Sequence, residues 1–100
     1  MKYISYIRVS TKGQERSGLS FDAQKAIIEH YAEIDKAELV KEFIETESGK
    51  AISNRPILKA AIEYAQTHKA VLVVAKLDRL SRDVEHIFKI QKQLGAYFKS

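Results

Sequence analysis

The run Ala70-Val71-Leu72-Val73-Val74-Ala75 is apolar at every position. It has the length of a strand and no polar alternation, so it reads as a strand covered on both faces, the usual middle of a parallel sheet. A strand buried on both sides needs layers on both sides, and that requirement organises the reading of the rest of the chain.

Toward the N-terminus, Leu58, Ala61, Ile62 and Ala65 form the apolar stripe of a helix. Asn54 is its candidate cap, and Pro56 stands in its first turn, where a missing N–H costs little. Residues 46–53 read as a loop. Before them a strand runs from about Leu39 to Glu45. There Val40 and Ile44 alternate with Lys41 and Glu45, while Leu39 and Phe43 make the other face apolar too. Another helix begins near Asp22, with Ala23, Ile27, Tyr31 and Ile34 at helical spacing and Ser20 or Asp22 as cap. Residues 11–20 carry no apolar period and read as a loop. Residues 2–8, Lys-Tyr-Ile-Ser-Tyr-Ile-Arg, read as the first strand.

Toward the C-terminus, the charged turn 76–83 leads to a third helix with Val84, Ile87, Phe88, Gln91 and Leu94 inward and Gly95 as its C-terminal cap. The order is β-α-β-α-β-α. It predicts one α/β domain over residues 1–100, three-layered, with a mostly parallel sheet and right-handed crossovers. Residues 96–100 fall where a further strand or connection would begin, so the chain is expected to be the start of something longer.

Composition agrees with a folded domain: 100 residues, 45% hydrophobic and 30% charged. With no cysteine, disulfides, thiolate metal sites and thiol nucleophiles are excluded. No apolar run approaches a membrane span and no signal-peptide core opens the chain, so a cytoplasmic, bacterial protein without membrane contact is expected. Net charge is +4, which fits a polyanionic partner. The five arginines, Arg8, Arg16, Arg55, Arg79 and Arg82, avoid the predicted helical surfaces, whereas the lysines are scattered. The planar guanidinium suits bidentate recognition of phosphate.

Ligands of open parallel sheets bind beyond the carboxyl ends of the strands. Three loops leave those ends. The first begins Arg8-Val9-Ser10-Thr11. The second holds Glu47-Ser48-Gly49-Lys50 and runs on to Asn54-Arg55-Pro56. The third is Lys76-Leu77-Asp78-Arg79-Leu80-Ser81-Arg82-Asp83. Guanidinium groups, hydroxyls and one or two carboxylates are thereby gathered at one sheet edge. P-loop and dinucleotide fingerprints are absent. The three histidines, His30, His68 and His86, sit on or beside predicted helices, which argues against a Ser-His-Asp triad. No metal-ligand spacing is present.

Tyr6-Ile7-Arg8-Val9-Ser10-Thr11-Lys12-Gly13-Gln14, followed by Leu19-Ser20-Phe21-Asp22-Ala23-Gln24, resembles the N-terminal signature of the serine site-specific recombinases, the resolvase/invertase family. Ser48-Gly49 with Asn54-Arg55-Pro56 resembles that family's middle motif, and residues 76–83 its third. Three motifs in order span essentially the whole chain.

The resemblance implies that Ser10 is the nucleophile attacking a DNA phosphodiester to form a 5′-phosphoserine link. It implies that Arg8, Arg55, Arg79 and Arg82 surround the phosphate and that Asp78 orients or neutralises part of that cluster. Gln14, Gln24 and Lys76 match supporting polar positions. No metal and no cofactor is implied. The implied partners are DNA and further copies of the chain, a dimer on each site and a tetramer when two sites are paired, in DNA recombination or integration on a mobile element.

Other roles stay open for several of these residues. Asp78 can also cap a helix or pair with Arg79, Arg82 can be solvated, and Gln24 can be helix surface. The general base is unassigned, since arginines beside Asp78 lower its basicity. The stretch from Gln14 to Leu19 is longer than in compact resolvases, which points toward transposon or phage relatives. A non-catalytic, DNA-associated assembly or regulatory module with the same fold is the alternative function, and a receiver-like or nucleotide-binding domain is a weaker one.

Overall fold

A computed structural model of the chain describes residues 1–10, 20–47, 56–77 and 84–100. The elements are β1 (Lys2–Ser10), α1 (Phe21–Ile34), β2 (Glu38–Glu47), α2 (Pro56–His68), β3 (Val71–Val73), α3 (Val84–Leu94), a 3-10 turn (Gly95–Tyr97) and β4 (Phe98–Lys99). The strands form one sheet in the order β2-β1-β3-β4, and every neighbouring pair is parallel. The α/β fold is as the sequence predicts, with a fourth strand added. The final residues turn through Gly95, whose φ of +57° suits a residue without Cβ, and lie beside β3 instead of ending short of it.

Residues 70–75 are all buried, although only Val71–Val73 pair as a strand. Their side chains divide between two cores. Ala70, Leu72 and Val74 join Ile4, Tyr6, Phe43, Leu58, Ala61, Ala65, Ile90 and Leu94 on the face of α2 and α3. Val71, Val73 and Ala75 join Tyr3, Ile7, Ile28 and Ala32 on the face of α1. The three-layer reading therefore holds, and α2 buries Leu58, Ala61 and Ala65 as expected.

Three expected faces are corrected. In β2, the register slips between Tyr3 and Ile4 of β1: Tyr3 pairs with Leu39 and Ile4 with Lys41, so Val40 is the extra residue of a bulge. One extra residue exchanges the two faces of everything beyond it. Phe43 and Glu45 consequently face α2, in register with Tyr6 and Arg8, while Ile44 turns away and is 42% exposed.

In α1 the buried stripe is Gln24, Ile28 and Ala32, with Ile27 and Tyr31 flanking it and Ile34 out in solvent. A glutamine whose amide is satisfied inside stands at the N-terminal end of that stripe, which apolar spacing by itself does not reveal. In α3, Ile90 and Leu94 are buried, whereas Val84 and Phe88 are exposed. The helix rests on α2, where the Gln93 amide donates to Gln66 at 3.2 Å, through a single narrow stripe. Ser20 caps α1 as expected, its hydroxyl oxygen accepting from the Ala23 N–H at 3.1 Å.

Candidate functional site

Parallel pairing sends the carboxyl ends of β1, β2 and β3 to one pole. Ser10 and Glu47 are register partners there, as are Arg8 and Glu45 two residues earlier. Arg8 is only 4% exposed. Beyond Ser5, β1 pairs with β2 but no longer with β3. At Arg8 the Gln24 side chain supplies the missing bonds, donating from Nε2 to the Arg8 carbonyl at 3.0 Å and accepting the Arg8 N–H at 3.4 Å. A side-chain amide offers the same donor and acceptor as a peptide group, so it stands in for a neighbouring strand. Gln24 is completely buried. The reading of Gln24 as helix surface is therefore corrected: its side chain is buried against the backbone of Arg8.

Glu45 is a second buried polar residue at this pole, and sequence reading assigns it no role in the site. Its Oε1 accepts from the Tyr6 hydroxyl at 2.7 Å and from the Leu58 N–H at 3.1 Å. Its Oε2 accepts from the Ile57 N–H at 3.2 Å. The two N–H groups belong to the first turn of α2, where backbone donors have no partner within the helix. The available signal was an acid two positions after Phe43 in a strand, but the bulge at Val40 hides which face that pair occupies.

α1 and α2 both start at this pole, since Gln24 and Ile57 in their first turns bond residues near the ends of β1 and β2. Helix starts carry partial positive charge. At α2 that charge is answered by the Glu45 carboxylate, so Arg8 is the basic group of β1 at this pole that suits a further anion.

The opposite pole carries a different cluster. The Tyr3 hydroxyl donates to Asp35, which caps the C-terminus of α1, and the Lys99 ammonium from β4 reaches the same carboxylate at 3.2 Å. Burial, then the bond to Asp35, then its charge push the Tyr3 phenol from 10.0 up to about 12. The Tyr3 hydroxyl first, and Lys99 after it, hold Asp35 below the usual carboxylate range.

Of the predicted site residues, Arg8 and Gln24 are together, and the backbone of Ser10 continues β1 two residues past Arg8. Lys76 is exposed, three residues past the end of β3 at the same pole. Gln14, Arg55, Asp78, Arg79 and Arg82 lie outside the described residues, as does the expected cap Asn54. Tyr3, Tyr6 and Phe43 are buried in the core, and Tyr31 partly so. Among the described residues, no group of acids and histidines is placed to hold a metal ion, and no helix is long and apolar enough to cross a membrane.

A family model described as resolvase, N-terminal domain, matches residues 3–98. Among solved structures, the chain is similar to the N-terminal catalytic domain of TP901-1 integrase, with 25% identity and a TM-score of 0.76 over 98% of this chain and 75% of that one. It also resembles in fold the C-terminal catalytic domain of ISC1926 TnpA, an IS607-like serine recombinase, with 20% identity and a TM-score of 0.74 over 99% of this chain and 67% of that one. No curated protein matches the sequence.

Proposed function

The chain belongs to the resolvase N-terminal domain family, and from that premise we propose that it is the catalytic domain of a serine site-specific recombinase, cleaving and rejoining DNA through a 5′-phosphoserine intermediate. The observation that carries the reading is the buried Arg8, fixed by Gln24 at the end of β1, two residues before Ser10.

In this mechanism the Ser10 oxygen forms a bond to phosphorus while the bond from phosphorus to the 3′ oxygen breaks. Ser10 gives up its hydroxyl proton, and the leaving 3′ oxygen takes up one, so protons balance. Rejoining is the reverse, with a 3′-hydroxyl attacking the phosphoserine, and the ester keeps the energy of the original bond. Arg8, Arg55, Arg79 and Arg82 stabilise charge on the phosphate oxygens, Asp78 orients that cluster, and Gln14 and Lys76 support it. A preorganised donor of this kind contributes about 3–4 kcal/mol to the barrier. The substrate is DNA, bound by a dimer at each site and by a tetramer when two sites are paired, within the bacterial cytoplasm.

The test is covalent trapping. The protein as its gene encodes it is incubated with supercoiled plasmid carrying the DNA that flanks the gene. A protein–DNA adduct in the wild type that disappears in Ser10→Ala, with DNA binding retained, supports the reading. No adduct from the wild type, or an adduct surviving in Ser10→Ala, overturns it.

A further inference from the structure

Asp35 caps the C-terminus of α1, its N–H turning back to the carbonyls of Tyr31 and Glu33. A helix C-terminus carries partial negative charge, so a carboxylate stands there against the local field. Glu33 adds a second acid two residues earlier, and the last turn of α1 holds no basic residue. Lys36 follows the cap, with a φ of +53° and an exposed side chain. Asp35 itself is answered from two distant parts of the chain. The Tyr3 hydroxyl of β1 donates to its Oδ2, and the Lys99 ammonium of β4 reaches the same oxygen at 3.2 Å. That ammonium also lies 5.1 Å from the centroid of the Tyr31 ring. The start of β1, the end of α1 and β4 thus meet at one carboxylate.

We propose that Asp35 and Lys99 form a latch that docks β4 onto β3, and that β4 attaches and releases as a unit of its own. The strand is only Phe98 and Lys99, register partners of Leu72 and Val73, which is short of the usual strand length. The turn before it, Gly95–Tyr97, buries no residue. Elements with so few buried contacts open before the rest of a fold does. Paired residues face the same side of a sheet. Phe98 accordingly packs with Leu72 on the face of α2 and α3, while Lys99 shares the face of α1 with Val73. Lys99 therefore ties β4 to the layer that Phe98 does not touch, and Tyr3 holds the carboxylate in place for it. The latch also reaches the pole of Arg8 and Ser10. The Lys99 carbonyl accepts the Val74 N–H at 3.0 Å. Val74 is completely buried and lies two residues before Lys76. Docked β4 thus satisfies a buried donor near the carboxyl end of β3, and released β4 leaves that donor unpaired, which is costly. Nothing in this device depends on the recombinase reading.

The test is residue-resolved amide exchange of the folded protein at rising, sub-denaturing urea, which leaves ion pairs unscreened. Val74 reports the release of β4, and Ala65, within α2, reports global unfolding. The urea dependence of exchange scales with the surface exposed in the opening. In the wild type, Val74 is expected to open with a much shallower dependence than Ala65. Lys99→Met keeps the stem and removes the charge, and Asp35→Asn keeps the shape and removes the charge. Each is expected to speed exchange at Val74 by about 3- to 10-fold, at or somewhat above the scale of a partly exposed ion pair, with the shallow dependence retained. Both together are expected to add little to either alone, because the two groups act as one unit. Lys99→Glu sets two carboxylates side by side and is expected to speed Val74 more than Lys99→Met does. Asp35→Lys combined with Lys99→Glu restores opposite charges, and is expected to slow Val74 again relative to Lys99→Glu alone.

A wild-type Val74 amide that opens only with the urea dependence of Ala65 overturns the proposal, since β4 is then no separate unit. So does a folded Lys99→Met variant that exchanges at Val74 at the wild-type rate, since the charge then holds nothing. A Lys99→Glu acceleration that Asp35→Lys fails to reverse overturns it as well, because the partner of Lys99 is then another group. Should Lys99→Met not fold, Asp35→Asn decides in its place by the same comparison. The recombinase reading is decided separately, by covalent trapping with Ser10→Ala, so failure of the latch and failure of that reading are told apart.

Discussion

The Gln24 side chain bonds both backbone groups of Arg8, donating to the carbonyl at 3.0 Å and accepting the N–H at 3.4 Å. A helix residue thereby completes the hydrogen bonding of a strand at the point where β3 no longer accompanies it. Replacement by leucine keeps the volume and leaves two buried backbone groups without these bonds. Each such group costs about 1–3 kcal/mol, so Gln24→Leu is expected to lose roughly 2 kcal/mol or more on the same grounds. For a domain of this size that is a fall in melting temperature of roughly 10 °C. Thermal denaturation checks it, and an unchanged melting temperature contradicts the strand-substitute role.

The bulge at Val40 determines which residues of β2 meet α2. Deleting Val40 restores plain alternation. Phe43 and Glu45 would then turn toward α1 and Ile44 toward α2, which removes the cap from Ile57 and Leu58 and places a carboxylate in the wrong core. The deletion variant is expected to lose cooperative unfolding, whereas Val40→Thr, which keeps the residue count, retains it. Circular dichroism melts of the two variants separate these outcomes. A deletion variant that melts cooperatively near the wild type contradicts the assigned register.

The far pole predicts a pH response with two signs. The Tyr3 phenol titrates at about 12 in the folded chain against 10.0 ordinarily. A raised value favours the protonated phenol in the folded state, so this stabilisation is full below pH 10 and is lost as the pH rises toward 12. Asp35 is held low, chiefly by the Tyr3 hydroxyl. Its contribution is present above the ordinary carboxylate range, near pH ~4, and is lost as the pH falls through the lowered folded value. Tyr3→Phe removes the hydroxyl from both effects. Urea midpoints measured across pH are expected to fall less steeply at both ends in Tyr3→Phe. Parallel profiles for the two proteins would falsify the coupling.

Phe88 and Val84, one turn apart on α3, are 64% and 62% exposed. Two large apolar side chains adjoining in water favour association with a second copy. The 100-residue chain is expected to self-associate with rising concentration in sedimentation, and Phe88→Glu to weaken that association. Equal sedimentation of wild type and variant at every concentration removes α3 from the contact.

The amino-acid sequence by itself determined the layers. The unbroken apolar run 70–75 requires cover on both faces, and helical stripes lie on either side of it in the chain. It also determined which strand ends would meet, since parallel strands joined by helices must send their carboxyl ends to one pole; Arg8, Ser10 and Lys76 needed no coordinates to be placed there. The α2 stripe and the Ser20 cap were legible because each depends on residues within a few positions of one another.

Only the tertiary structure decided which face several residues take, because those outcomes depend on partners distant in sequence. Ile34, Val84 and Phe88 have helical spacing suited to a core, yet the neighbours that would cover them lie elsewhere. Gln24 is polar, and helix surface stays open for it until the backbone of Arg8, 16 residues earlier, gives its amide a buried partner. Glu45 stands in a strand whose alternation reads the same from either side. A single extra residue at Val40 turns it inward, where the Tyr6 hydroxyl and the first-turn N–H groups of α2 compensate its loss of water.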